Sequence, residues 1–250
     1  MTDLTLAIET SNPAAPPKPG QPPLPPGAGG AGSVCVGHWN PQGSCTVLSH
    51  GSLSPASRHD DALMPAIEAA CTRAGIKAGD LRRVAVSVGP GGFTSTRIGV
   101  TTAKMIAEAT GAACVAVPTA LAVAWGARAA GLTGTVGVLL AWKRGDVWRQ
   151  RFELPKAGAG LPPRAMEEGG VVALALATES CDAVVCDSAL AALLPVTSGR
   201  RTHPPDFDAR WVLEASRALT STDAAQLLPI YPREPEAVTN WRVLHPPAGG

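Results

Sequence analysis

What this sequence lacks removes whole classes of protein. Charge of either sign is not in excess: 21 basic and 20 acidic residues leave a formal net charge of +1. Such a chain has no overall electrostatic grip on a polyanion, so a role near nucleic acid has to come through a partner or a local patch. No apolar run approaches the roughly 18 residues of a membrane span. The opening MTDLTLAIETS has neither the basic start nor the long apolar stretch of a secretory signal. The reading is a soluble, cytoplasmic protein with no membrane contact. The six cysteines, at 35, 45, 71, 114, 181 and 186, form no C-x-x-C pair. Most sit in apolar runs such as SVCVG and AVVCDS, where cysteine behaves as a small hydrophobe, and a chain of 250 residues can build a core without disulfides.

Catalytic constellations are equally scarce. His59 is followed four residues on by Leu63, so no H-x-x-x-H pair forms there. No two histidines share ligand spacing with a cysteine or carboxylate. Asp60 and Asp61 suit a helix N-cap, and Asp146 and Asp187 suit a hairpin turn and a strand end. No G-x-S-x-G elbow is present. The expectation is no catalytic residue, no metal site and no cofactor.

What is there is a regular alternation. Leu4, Leu6 and Ile8 alternate as in a strand. Residues 12–32 then carry eight prolines and five glycines in 21 positions, which no helix or central strand tolerates. SVCVGHW and CTVLSH, separated by NPQG, read as a hairpin. HDDALMPAIEAACTRAG has helical spacing, with Asp60 or Asp61 as N-cap and Pro65 near the first turn. RRVAVSVGP and ACVAVP read as strands covered on both faces. Helices are expected over about 96–110, TALAVAWGARAAG, about 171–178, SALAALL and DFDARWVLEASRALT. TVGVLLAW and DVWRQRFEL form a second hairpin, DAVVCD another strand, and the tail after Leu227 is irregular. The order βββαβαβα, followed by a shorter copy of the same plan, predicts two α/β layers side by side.

The most pointed local feature is GPGGFTSTR, between a strand and a helix. Gly89, Gly91 and Gly92 permit positive φ and close approach. Thr94, Ser95 and Thr96 are candidate caps, and Arg97 could grip a phosphate or carboxylate bidentately. Helix N-termini attract anions. The string is neither a P-loop nor G-x-G-x-x-G, because Thr94 holds the third glycine's place. The residues alone fit a tight capped turn and an anion site equally.

Several stretches, in order, carry a resemblance: LAIETS, RHDDALMPAIEAACTRAGI, VSVGPGGFTSTRIGVTTAKMIAEATGAACVAVPTALAVA, LLAWKRGDVWRQRFE and LLPIYPREPEAVTNW. Together they resemble the TsaB family, a bacterial subunit of the machinery that makes threonylcarbamoyladenosine in tRNA. The string G-P-G-x-F-T-x-x-R-I-G-x-x-x-A-K, Gly89 to Lys104, is specific to that family and its paralogue TsaD.

The resemblance implies an α/β fold of the actin-like ATPase type (ASKHA, RNase H-like) with two similar lobes. These would be residues 1–125, with the insertion 12–32, and a smaller lobe 126–250 whose C-terminal helix or tail can pack back on the first. It implies a non-catalytic scaffold that supports a TsaD-type subunit, along with a TsaE-type ATPase, in modifying adenosine 37 of tRNAs that read ANN codons. It also implies a homodimer when alone, with tRNA contacted only indirectly. Departures from the family pattern fit that role. Leu63 stands where a metal histidine would be, Glu9 where the fold carries an Asp, and Ala141-Trp142-Lys143 where the family has Asp-Ala-Arg. The expected partner surface lies on two helices, at Leu63, Met64, Ile67 and Cys71 of one and Ile98, Thr101, Thr102 and Met105 of the other. The competing reading is a free-standing small-molecule kinase or ATPase of the same fold, motivated by the glycine loop. A peptidase has no nucleophile–base pair to support it.

Overall fold

The structure is a computed structural model that describes residues 3–12, 32–40, 43–53, 59–143, 145–156, 161–195 and 201–232, together with 238, 241, 244 and 245. Most of the proline-rich stretch, residues 13–31, lies outside the described residues.

Two sheets carry the same plan. In the first, β1 (Thr5–Glu9), β2 (Ser33–Trp39) and β3 (Cys45–Ser52) form an antiparallel meander. On the other side of β1, β4 (Arg83–Ser87) and β5 (Ala113–Val117) add in parallel, giving the order β3-β2-β1-β4-β5. In the second, β6 (Gly134–Lys143), β7 (Asp146–Leu154) and the short β8 (Arg164–Ala165) and β9 (Gly170–Ala173) repeat the meander. Then β10 (Ala183–Val185) and β11 (Arg201–His203) add in parallel to β6. The parallel additions need crossovers, and α2 (Phe93–Thr110) and α4 (Ser188–Ala191) supply them.

On one face of the first sheet lie α1 (His59–Ala74) and α2, closing a core of Leu6, Ile8, Val34, Val36, Val84 and Val86 with Leu63, Ile67 and Val100. The alternate residues Ala7, Cys35 and Ala85 face the other way, toward Val212 and Leu213 of α5 (Ala209–Ser216). This is the period of two working on a sheet covered on both sides. Helix α3 (Thr119–Ala129) packs on α5 and on β6 and β7, so α3 and α5 lie between the sheets. The segment after α5 also returns to the first sheet: Thr222 bridges Cys114, Leu227 is buried in the first core, and the Ile230 amide donates to the Val88 carbonyl at 2.6 Å.

Several local expectations need correction. The helix expected over 171–178 is instead strand β9 followed by one 3-10 turn, Leu174–Leu176. Val171 and Val172 are β-branched and find partners on β7, and Gly169 packs so closely on the Trp148 indole that a Cβ there would strike the ring. Helix α2 begins at Phe93 rather than Thr96. Its N-cap is Gly92, and no hydroxyl caps it: Ser95 Oγ donates to the Gly92 carbonyl at 3.2 Å instead. Helix α1 starts at His59, which puts Asp60 and Asp61 inside its first turn and Pro65 in its second turn rather than near the first. The SALAALL helix is a single turn, and α5 is shorter than its apolar pattern suggested. None of the six cysteines is in a disulfide. Among the described residues, no helix is long and apolar enough to cross a membrane.

Candidate functional site

The glycine loop joins β4 to α2, and the protein itself occupies its inner side. Gly89 has φ of +99° and exchanges two hydrogen bonds with Thr119 at the start of α3: its amide donates to Oγ1 at 3.1 Å, and its carbonyl accepts from the Thr119 amide at 2.9 Å. A Cβ on Gly89 would come within 2.8 Å of the Ile230 carbonyl. Gly91 lies against Ser11 so closely that a Cβ would fall on its carbonyl oxygen. The same oxygen accepts the Gly92 amide at 2.9 Å. About two turns into α2, Gly99 leaves room for the Thr10 hydroxyl. The glycines therefore let the end of β1, the residues Glu9-Thr10-Ser11, seat against the loop.

On the outer side, Thr94 and Arg97 are exposed. The Arg97 guanidinium lies over the face of the Phe93 ring, where the ring quadrupole attracts a cation. It sits 5.3 Å from the Phe93 centroid. Phe93 also meets the Tyr231 ring, tilted, with centroids 5.0 Å apart. Partial burial raises the Tyr231 hydroxyl above its usual range, and Arg97 draws it back in part. The loop string and the late LLPIYPREP stretch thus touch through Phe93 and Tyr231. Each was visible as a separate motif, but nothing in their spacing joined them.

Beneath the loop lies a polar layer. Glu9 is fully buried. Its Oε1 accepts the Ser11 amide at 2.6 Å and the Ser11 hydroxyl at 2.5 Å. Burial pushes its carboxyl up to about 7, against the lowering pull of Ser11 and of the Ser87 hydroxyl, and the nearby Asp208 adds to the rise. Asp208 behaves oppositely. Burial disfavours its charge, but hydrogen bonds from His50 and Arg210 outweigh that and hold its carboxyl well below the usual range. His50 Nε2 lies 3.1 Å from Oδ1, and Arg210 Nη2 donates to Oδ2 at 2.9 Å. Asp208 also caps α5 through the Arg210 amide, while Ser33 Oγ accepts the Ala209 amide at 2.8 Å. Sequence reading missed the layer because its members come from β1, β2, β3, β4 and α5. Strand-end polar residues next to a helix N-cap were the only available signal.

The helix residues separate by face. Leu63, Ile67 and Cys71 are buried in the first core, whereas Met64 on α1 is 53% exposed. On α2, Met105 is 66% exposed, Thr101 is exposed, and Ile98 and Thr102 are half-buried. The outward faces therefore carry Met64, Thr101 and Met105. Among the described residues, no three His, Cys, Asp or Glu side chains come together to hold a metal ion. In the second sheet, β6 is irregular at Ala141, which has φ of +53° next to the register shift between Leu140 and Lys143.

Residues 47–149 match the model of the TsaD family, tRNA N6-adenosine threonylcarbamoyltransferase. That span holds α1, the glycine loop, α2, α3, β6 and the start of β7. No curated protein matches the chain in sequence. Two solved structures from Pseudomonas aeruginosa match it in fold. One is an uncharacterized protein with similarity to peptidase YeaZ, with a TM-score of 0.69 and 17% identity, covering 92% of this chain and 99% of that one. The other is YeaZ, with a TM-score of 0.68 and 17% identity, covering 91% of this chain and 99% of that one. With its two sheets of one topology, the chain has the two-lobe, actin-like α/β fold of YeaZ and carries a TsaD-like region within it.

Proposed function

We propose that this protein is a non-catalytic partner subunit of the complex that makes N6-threonylcarbamoyladenosine at position 37 of tRNAs reading ANN codons, where it supports a TsaD-type catalytic subunit. The observation that carries the reading is the TsaD-family match over 47–149. Two features of that region support an accessory role over a catalytic one. Leu63, where a second metal histidine would stand, is 1% exposed and belongs to the core beneath α1. The inner side of the glycine loop is engaged by Ser11, Thr119 and Ile230.

The partner surface in this reading is the outward face of α1 and α2, with Met64 and Met105 as its apolar anchors. Methionine suits such a surface because its flexible thioether adapts to irregular contacts. Leu63, Ile67 and Cys71 support that face from below. A TsaE-type ATPase joins the same complex, a homodimer forms when the catalytic subunit is absent, and tRNA is met through the partner. The test is co-purification of the full chain with a TsaD-type protein at micromolar concentration, with and without ATP. A stable complex is expected, and Met64→Glu with Met105→Glu should weaken it at least tenfold, since a charge buried without a partner costs well over the ~1.4 kcal/mol that a tenfold change represents. Two proteins that stay apart in both conditions would overturn the reading.

A further inference from the structure

The layer between the C-terminal ends of β1 and β4, the N-terminal end of β2 and the start of α5 is closed to solvent. Glu9, Ser11, Ser33 and Ser87 are each 3% exposed or less. Within this layer Glu9 is half-satisfied. Its Oε1 takes two hydrogen bonds from Ser11, whereas its Oε2 makes no well-formed hydrogen bond among the described residues and feels only the weak pull of the Ser87 hydroxyl. Among the described residues, the surrounding elements offer that oxygen no cation. From α5 comes Asp208, an anion already engaged by Arg210 of its own helix and by His50 from β3. From β4 comes the neutral hydroxyl of Ser87, and from β2 come Ser33 and Cys35. Burial pushes the Cys35 thiol up to about 12, so it too is neutral.

A carboxylate buried beside another anion, with one oxygen unpaired, is costly; the neutral acid is far less so. The same residue is wired to the glycine loop. Ser11 donates its amide and hydroxyl to Glu9, and its carbonyl takes the amide of Gly92, the N-cap of α2. Solvating an ionised Glu9 requires the Ser11 turn to move, and that movement breaks the Gly92 contact.

We propose that Glu9 is a proton-linked latch: as a neutral acid it lets the end of β1 seat on the glycine loop, and its ionisation loosens the junction between β1 and the start of α2. The latch requires no partner protein and stands apart from the proposed role in tRNA modification.

Thermal unfolding of the full chain and of Glu9→Gln, at pH 5 and pH 8, tests it. Below about 4.5 both folded and unfolded states hold the proton; between about 4.5 and 7 only the folded state does. The wild type therefore loses stability as pH rises through that window, and the loss is complete above it. Glu9→Gln has no proton to lose. The midpoint of the variant minus that of the wild type is expected to rise by roughly 5–10 °C from pH 5 to pH 8. A difference that stays flat or falls would overturn the latch. Should the variant not fold, hydrogen exchange of the wild type decides. The protection factor of the Gly92 amide, corrected for intrinsic rate, is expected to fall at least tenfold between pH 6 and pH 8, and an unchanged factor would sink the proposal.

Discussion

Both sheets place an antiparallel meander on one side of their first strand and two parallel strands on the other, but they differ in what covers them. The first sheet has α1 and α2 on one face and α5 on the other. The second has α3 on one face, while its other face is closed by a 3-10 turn, the single turn of α4 and the chain between them, around Leu139, Val147 and Leu190. Helix α5 comes from the second half of the sequence and serves the first sheet. One strand plan can therefore be stabilised by long amphipathic helices or by short irregular cover. Sites that need rigid positioning belong on the first kind, and the glycine loop, the buried polar layer and the outward helix faces all lie there.

This contrast can be broken most directly in the two cores. Leu63→Ala, under the long helix α1, is expected to cost about 4 kcal/mol, because a helix anchored along its length cannot collapse into the cavity. Leu190→Ala, in the one-turn α4, should cost about 2.5 kcal/mol, since short cover relaxes more easily. Urea unfolding checks both, and equal losses would say that the two faces are equally rigid.

The glycine turns sharpen the comparison at intermediate size. Gly91→Ala would drive a Cβ into the backbone of Ser11, and a loss of about 3 kcal/mol is expected. Gly145, in the β6–β7 hairpin, has φ of +88° and open space around it. Gly145→Ala should therefore cost only the left-handed strain, about 1 to about 2 kcal/mol. The caps span a similar range down to the smallest effect. Asp208→Ala removes a cap and its ties to His50 and Arg210. It is expected to cost about 2 kcal/mol near neutral pH. Because the folded state holds that carboxyl well below its ordinary range, the wild-type advantage is full above that range and is lost only as pH falls below it, toward the depressed folded-state value. Asp187→Ala removes the equivalent cap on α4, in which Oδ1 accepts the Leu190 amide at 2.8 Å. On so short a helix the loss is expected to be about 0.5 kcal/mol. Melting both variants at pH 7 and at about pH 2 separates them, since the Asp208 contribution shrinks only well below its ordinary carboxylate range.

Much of the first sheet was legible because its elements are long or strongly patterned. RRVAVS and ACVAV are continuous apolar runs, and the α2 segment keeps helical spacing up to Gly111. Gly111 has φ of +72° and ends the helix in the left-handed conformation. Its place just after the last apolar residues suggested that role. The second half was harder. Residues 171–177 form a short apolar run whose period suits either state, and pairing with β7 decided for a strand. The start of α2 was misplaced because hydroxyl residues are good caps in isolation. Here the close approach of Ser11 required glycines, and the helix began on Gly92.

The sequence by itself determined the alternation of strands and helices, the repeated meander and the motif string from Gly89 to Lys104, because these depend on local period and turn chemistry. Only the tertiary structure decided what the glycines are for, which members of each helix stripe face outward, and that Glu9 shares a closed layer with Asp208. Those outcomes depend on contacts between residues dozens to about two hundred positions apart, and burial and charge interaction exist only once the chain has brought them together.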